Sequence, residues 1–195
     1  MNLSHFLSAH RLTVTRLVPV VVVAAFWLLG AHPSVGLLAA GSVLALAGQA
    51  LRVWAAGHLV KDRALTATGP FAYTRHPLYL GSTLIGLGLC VASGIWWAYL
   101  LIAIVFVLFY IPTAAHEESC LSQQYGEAYA RYRATVPGLG LRLPRYRTGG
   151  APARAAGREF AWDRVLRNGE QQTVMATALL LAAMWAKLAL AGAGP

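Results

Sequence analysis

Charge is what this chain has least of. Only 12% of its 195 residues are charged, and its 7 Asp and Glu face 16 Lys and Arg. A soluble domain cannot clothe its surface with so few charges. With 57% hydrophobic residues and a mean hydropathy of +0.55, the composition excludes an ordinary soluble enzyme and points to a polytopic membrane protein. Cysteine is scarce as well. Cys90 and Cys120 form no C-x-x-C pair and no disulfide framework, and both read as ordinary thiols. The dinucleotide fingerprint is missing: Gly86-Leu87-Gly88 has neither its spacing nor a strand–turn–helix context, so these glycines read as helix-packing positions. No internal repeat is visible. No cleavable signal peptide is expected, because the first apolar run is too long and a second follows almost at once. His116, Glu117 and Glu118 are consecutive and point in different helical directions, so no metal-ligand face is expected.

What remains is apolar runs and the basic residues beside them. Residues 17–31, 35–57, 77–93, 95–113 and 173–190 read as about five transmembrane helices, each near the roughly 20 residues a bilayer requires. Gly41, Ala45 and Gly48 place small residues where helices can approach closely. Arg52, in the last turns of the second run, either snorkels to the head groups or faces a polar cavity, and snorkelling is the expectation because its long stem can reach the interface. Gly94 turns the chain so sharply that the third and fourth runs must form an antiparallel hairpin. The net charge of +9 sits beside these runs, which favours anionic lipid over nucleic acid. Arg11, Arg16, Lys61, Arg63, Arg75, Arg131, Arg133 and the later arginines lie on one side; the opposite turns carry no Lys or Arg. By the positive-inside rule that side, with the N-terminus and both large loops, is cytoplasmic, and the C-terminus is outside.

The segment Gly69 to Gly81 is a polar, aromatic, proline-punctuated loop running straight into an apolar helix. Pro77 suits the first helical position. Arg75 and His76 then stand at a helix N-terminus, where free N–H groups favour an anion. The hairpin brings the end of the fourth run, with His116, Glu117 and Glu118, to the same membrane face. Carboxylates at a helix C-terminus oppose the macrodipole, which marks that end as a site. Beyond it, Tyr125, Tyr129 and Tyr132 recur at i, i+4 and i+7, a helical face. A pocket with an anion-binding mouth, carboxylates and aromatic faces suits a ligand carrying a carboxylate, an ammonium, an aromatic base and a cationic centre. S-adenosylmethionine has all of these.

Arg75-His76-Pro77-Leu78-Tyr79-Leu80-Gly81, followed by Glu117-Glu118 with Leu121, Tyr125-Gly126-Glu127, Tyr129, Tyr132 and Val136-Pro137, resembles the isoprenylcysteine carboxyl methyltransferase family and its phospholipid methyltransferase relatives. The resemblance covers residues 60–145. It implies an all-α integral membrane enzyme with a helical hairpin, a cytoplasmic cofactor-binding segment and no Rossmann fold. It implies S-adenosylmethionine as methyl donor and a lipid or prenylated acceptor. On this resemblance Arg75 and Glu118 carry the catalytic role. His76, Pro77, Tyr79, Glu117, Glu118, Leu121 and Tyr132 bind the cofactor. Thr113-Ala114-Ala115-His116 departs from relatives that carry a basic residue a turn before the paired glutamates.

Residues 1–150 are expected to form the membrane methyltransferase core, lodged in a bacterial inner membrane. Residues 151–195 are expected to add a linker, an interfacial basic segment and a C-terminal transmembrane helix outside the resemblance. No metal and no nucleic acid is expected as a partner. Phospholipid N-methylation and O-methylation of a lipid-tailed phenol or pyrone stay open beside carboxyl methylation, with Glu118 or His116 as the candidate base for an amine or hydroxyl. So do a non-enzymatic membrane scaffold or transporter subunit, and a nicotinamide-dependent reductase on a similar helical scaffold.

Overall fold

The structure is a computed structural model that describes residues 24, 28, 34–60, 65–143, 146 and 159–192. The expected first span, the Lys61–Arg63 turn and the 149–157 linker lie essentially outside the described residues. Among those residues every regular element is helical and none is a strand. The elements are α1 (Val35–His58), a single 3-10 turn (Gly69–Ala72), α2 (Pro77–Ser93), α3 (Trp96–Val105), a π turn (Phe106–Tyr110), α4 (Ile111–Thr135), α5 (Trp162–Arg167) and α6 (Glu170–Gly192). Val35–His58, Trp96–Thr135 and Glu170–Ala191 are long and apolar enough to cross a membrane, and Pro77–Ser93 is a shorter apolar helix.

Local chemistry explains the boundaries. Ser34 caps α1: its Oγ accepts from the Leu37 N–H at 3.2 Å. α2 stops at Gly94, whose φ of 67° is open to glycine and strained for other residues. The π turn lies directly before Pro112, which has no N–H to give the preceding turn, so the helical ladder must adjust there. The apolar character of the long Trp96–Thr135 stretch belongs to its first half; beyond residue 113 the sequence turns polar.

The chain divides into two compact units. One comprises Met1–Gln49, Ser82–Thr113 and Thr173–Pro195. Its core is Leu38, Ala45, Ile85, Leu89, Cys90, Ala92, Ile95, Ala98, Leu181 and Met184. Lipid is as apolar as leucine, so close packing and buried hydrogen bonds hold these helices together. α1 and α2 touch backbone to backbone: a Cβ added to Gly41 would strike Gly88 O and Ala92 N. That is the packing role expected of these small residues. α6 is tied in by polar pairs, Thr177 Oγ1 donating to Gln49 Oε1 at 3.1 Å and Trp185 Nε1 to Ser42 Oγ at 3.1 Å.

The other unit comprises Ala50–Gly81 and Ala114–Gln172. Its core is Ala67, Tyr129, Tyr132 and Val136, with Leu65, Leu121, Tyr125 and Tyr146 against it. Arg52 does not snorkel here. It forms a forked ion pair with the buried Glu170 carboxylate, at 2.7 Å and 2.8 Å. Desolvated guanidinium is held by a bidentate acid, which a run of sequence around Arg52 alone could not reveal.

Candidate functional site

The site is assembled where α2 begins. His76 O accepts from the Leu80 N–H at 3.0 Å, so His76 takes the cap position and Pro77, fully buried, the first helical position. The approach to it is pinned. Arg75 N donates to Pro137 O at 2.9 Å, and Thr74 Oγ1 donates to Gly138 O at 3.0 Å. Further along, Arg142 N donates to Tyr73 O at 2.9 Å. The loop before α2 and the chain after α4 therefore run side by side, and the backbone carrying Arg75 has little freedom.

Glu118 stands at the centre. Its Oε1 lies 2.9 Å from Arg75 Nη2 and 3.0 Å from His76 Nε2, and its Oε2 lies 3.4 Å from Arg133 Nε. Beside it the Tyr79 hydroxyl donates to Glu117 Oε1 at 2.6 Å, the short distance expected of O–H to a carboxylate. Arg75 and Glu118 are each only 14% exposed, whereas Arg133 is 57% exposed and its contribution is correspondingly screened. Thus Arg75, His76 and Tyr79 do face Glu117 and Glu118.

The reason differs from the one the macrodipole suggested. Glu117 and Glu118 are not at a helix C-terminus; α4 continues past them for about two turns before any break. Arg75 and Arg133 meet the Glu118 charge directly, and His76 and Tyr79 add hydrogen bonds to Glu118 and Glu117. The break comes at Gly126, with φ 49° and ψ −124°. In a straight helix Glu118 and Arg133 would be separated by roughly 22 Å, more than their side chains can span. They are in contact, so the chain doubles back at Gly126. The tyrosines consequently do not form one continuous face: Tyr129 and Tyr132 belong to the returning arm.

Tyr132 donates its hydroxyl to Phe71 O at 2.7 Å and meets Tyr146 edge-on at 5.5 Å. Burial pushes its phenol pKa up, so it stays a donor. Leu121 packs against this tyrosine core. Tyr129 is different. It is 1% exposed, yet its hydroxyl has no hydrogen-bond partner. Burial first, then the Glu118 charge, pushes its phenol up as well. Arg75 Nε is likewise buried without a partner. Orphan donors of this kind are costly unless a ligand takes them, and both belong to the Glu118 cluster. Tyr129 and Arg133 were not among the expected site residues. Tyr129 was visible in the tyrosine spacing; Arg133 reaches the site only through the Gly126 reversal. His116 points elsewhere, its Nε2 lying 3.8 Å from the exposed Cys120 Sγ.

Chemically, the cluster offers acid oxygens and basic donors within one small region, suited to a ligand of mixed charge. Among the described residues no group of three or more His, Cys, Asp and Glu could hold a metal ion.

Residues 28–128 match the family described as phospholipid methyltransferase. The protein-S-isoprenylcysteine O-methyltransferase of Schizosaccharomyces pombe is 33% identical over 96 residues, covering 49% of this chain and 41% of that protein, so the match spans less than half the relative's length. The nickel-cobalt-cadmium resistance protein NccN of Alcaligenes xylosoxydans xylosoxydans is 31% identical over 160 residues, covering 75% of this chain and 71% of that protein. The cobalt-zinc-cadmium resistance protein CzcN of Cupriavidus metallidurans is 30% identical over 157 residues, covering 74% and 70%. No solved structure matches. With more than half its length matched by the family and its apolar helices long enough to span a bilayer, this chain belongs to the phospholipid methyltransferase family of membrane proteins, which includes the isoprenylcysteine methyltransferases.

Proposed function

We propose that this protein is an S-adenosylmethionine-dependent methyltransferase acting at the cytoplasmic membrane face on the polar head of a lipidic acceptor, in the manner of an isoprenylcysteine carboxylate. The observation that carries the reading is the Glu118 cluster: a carboxylate held by Arg75 and His76, beside the Tyr79–Glu117 pair and the unpartnered Tyr129 hydroxyl.

The residues present fit the donor. Glu117 and Glu118 provide acceptors for an ammonium and ribose hydroxyls, Arg75 Nε and the Tyr129 hydroxyl provide donors for a carboxylate, and the Tyr79 and His76 rings provide faces. Pro77 fixes the turn that presents His76; Leu121 and Tyr132 shape the wall behind Tyr129. When bound, S-adenosylmethionine supplies an electrophilic methyl group on a sulfonium. The protein's own task is then to hold the acceptor in line and exclude water.

Glu118 Oε1 already accepts from Arg75 and His76, and Glu117 Oε1 from Tyr79. In this arrangement one oxygen of each carboxylate is therefore already engaged. That favours an acceptor arriving as an anion, such as a carboxylate, for which no base is needed. The family's description keeps phospholipid N-methylation as a second reading; it requires a base, and Glu118 could serve only after releasing a donor.

The test supplies methyl-labelled S-adenosylmethionine to the purified protein with a prenylated cysteine or with phosphatidylethanolamine. Label on the prenylated cysteine, released as methanol by alkali, is expected. Alkali-stable label on the amine lipid would select the second reading, and no label on either would refute both.

A further inference from the structure

The C-terminal residues 159–170 do something specific to the end of α1. A helix leaves its last carbonyls without intrahelical partners. Here those carbonyls are taken up by this distant segment. Asn168 Nδ2 donates to Ala56 O at 2.9 Å and to Leu59 O at 3.3 Å. Ala161 N donates to Gly57 O at 3.1 Å, and Arg164 Nη1 to His58 O at 3.4 Å. Phe160 lies over Gly57, where any Cβ would strike its ring, and packs on His58 at 5.9 Å between ring centroids.

The segment ends by delivering Glu170 to Arg52. Glu170 is 3% exposed, and its two oxygens take Arg52 Nε and Nη2. The remaining branch of the fork, Nη1, donates to Leu78 O at 3.3 Å. Leu78 lies in the first turn of α2, two residues after His76 and next to Tyr79. The fork thus joins the C-terminal segment to the turn that presents both site side chains.

We infer that Arg52 and Glu170 are positioning residues for the site: Glu170 orients the Arg52 guanidinium, and Arg52 fixes the first turn of α2 through the Leu78 carbonyl, holding His76 and Tyr79 toward Glu118 and Glu117. The link to catalysis rests on the methyltransferase reading above; the link to the α2 turn does not. Lysine tests it, because an ammonium can keep the ion pair with Glu170 but has no second planar branch for Leu78.

The experiment compares wild type, Arg52→Lys and the apolar double variant Arg52→Met/Glu170→Leu, whose buried pair is replaced by side chains of similar bulk. Two readouts are taken on the full-length protein in lipid nanodiscs: hydrogen exchange in a peptide covering residues 77–83, and S-adenosylmethionine affinity by calorimetry. Both variants are expected to stay folded, to exchange roughly tenfold faster in that peptide, and to bind roughly tenfold more weakly, the effect of one lost hydrogen bond. Unchanged exchange in both variants overturns the inference. So does faster exchange with undiminished affinity, which would leave the pair purely structural. If wild type binds no donor while exchange still accelerates, the methyltransferase reading fails and the positioning of the α2 turn stands.

Discussion

Gly126→Ala is the most informative single change, because nothing lies within 4 Å of the Cβ it would add. Its effect is therefore conformational and not steric crowding by neighbours. At φ 49° and ψ −124° the backbone occupies a region open to glycine and costly for alanine, about 1–3 kcal/mol. Alanine also favours a continuous helix over glycine by about 1 kcal/mol. Together the reversal loses on the order of 2–4 kcal/mol relative to a straight helix. Straightening would carry Arg133, Tyr129 and Tyr132 away from Glu118 and Phe71, breaking the contacts at 3.4 Å and 2.7 Å. For a chain of this size that corresponds to a melting point lower by roughly 5–15 °C. Thermal unfolding in detergent, with spin labels on either side of residue 126 to measure the distance across the bend, reads both effects. A variant that melts with wild type and keeps the short distance would refute the reasoning, since the reversal would then not depend on glycine.

Other outcomes follow from the same geometry. Glu118→Gln keeps the shape but removes the charge that Arg75 and His76 share; it should cost about 2–3 kcal/mol in stability, seen as a lower thermal midpoint, and weaken donor binding by at least about tenfold. Tyr79→Phe removes the 2.6 Å bond to Glu117 and should weaken donor binding by about 1.5–3 kcal/mol in calorimetry. Tyr132→Phe leaves Phe71 O without its hydroxyl donor and should lower stability by about 1–3 kcal/mol while leaving the sequence of the Glu118 cluster intact, so its effect on the thermal midpoint should exceed its effect on donor affinity. Gly69→Ala meets the His58 ring at 2.5 Å at a φ of 58°, and should unfold at clearly lower temperature.

The elements that were legible in the sequence were those set by neighbouring residues. Pro77 announced the start of α2, Gly94 its end, and the run of apolar residues the spanning helices. Gly41 and Gly88 were recognisable as close-packing positions because only small residues permit such an approach. What was not legible depended on the chain returning from far away. Arg52 looked like a residue at a membrane edge; its partner Glu170 lies on another helix, and an ion pair leaves no mark in the local pattern. The carboxylates at Glu117 and Glu118 were correctly drawn to the basic mouth of α2, but for the wrong physical reason, since helix periodicity does not register that α4 continues beyond them. Gly126 appeared as one glycine in a helical pattern, and only its positive φ turns Arg133 and Tyr129 into neighbours of Glu118. The C-terminal segment, with no motif of its own, could be read as an interfacial stretch but not as the cap of α1.

On the proposed function, the Glu118 cluster binds S-adenosylmethionine. Titrating the donor into purified wild-type protein, His76→Ala and Glu118→Gln by calorimetry tests it most directly. Saturable binding in the micromolar range by wild type, reduced at least about tenfold in both variants, is the predicted result. No heat with wild type, or equal affinity in all three proteins, would contradict it.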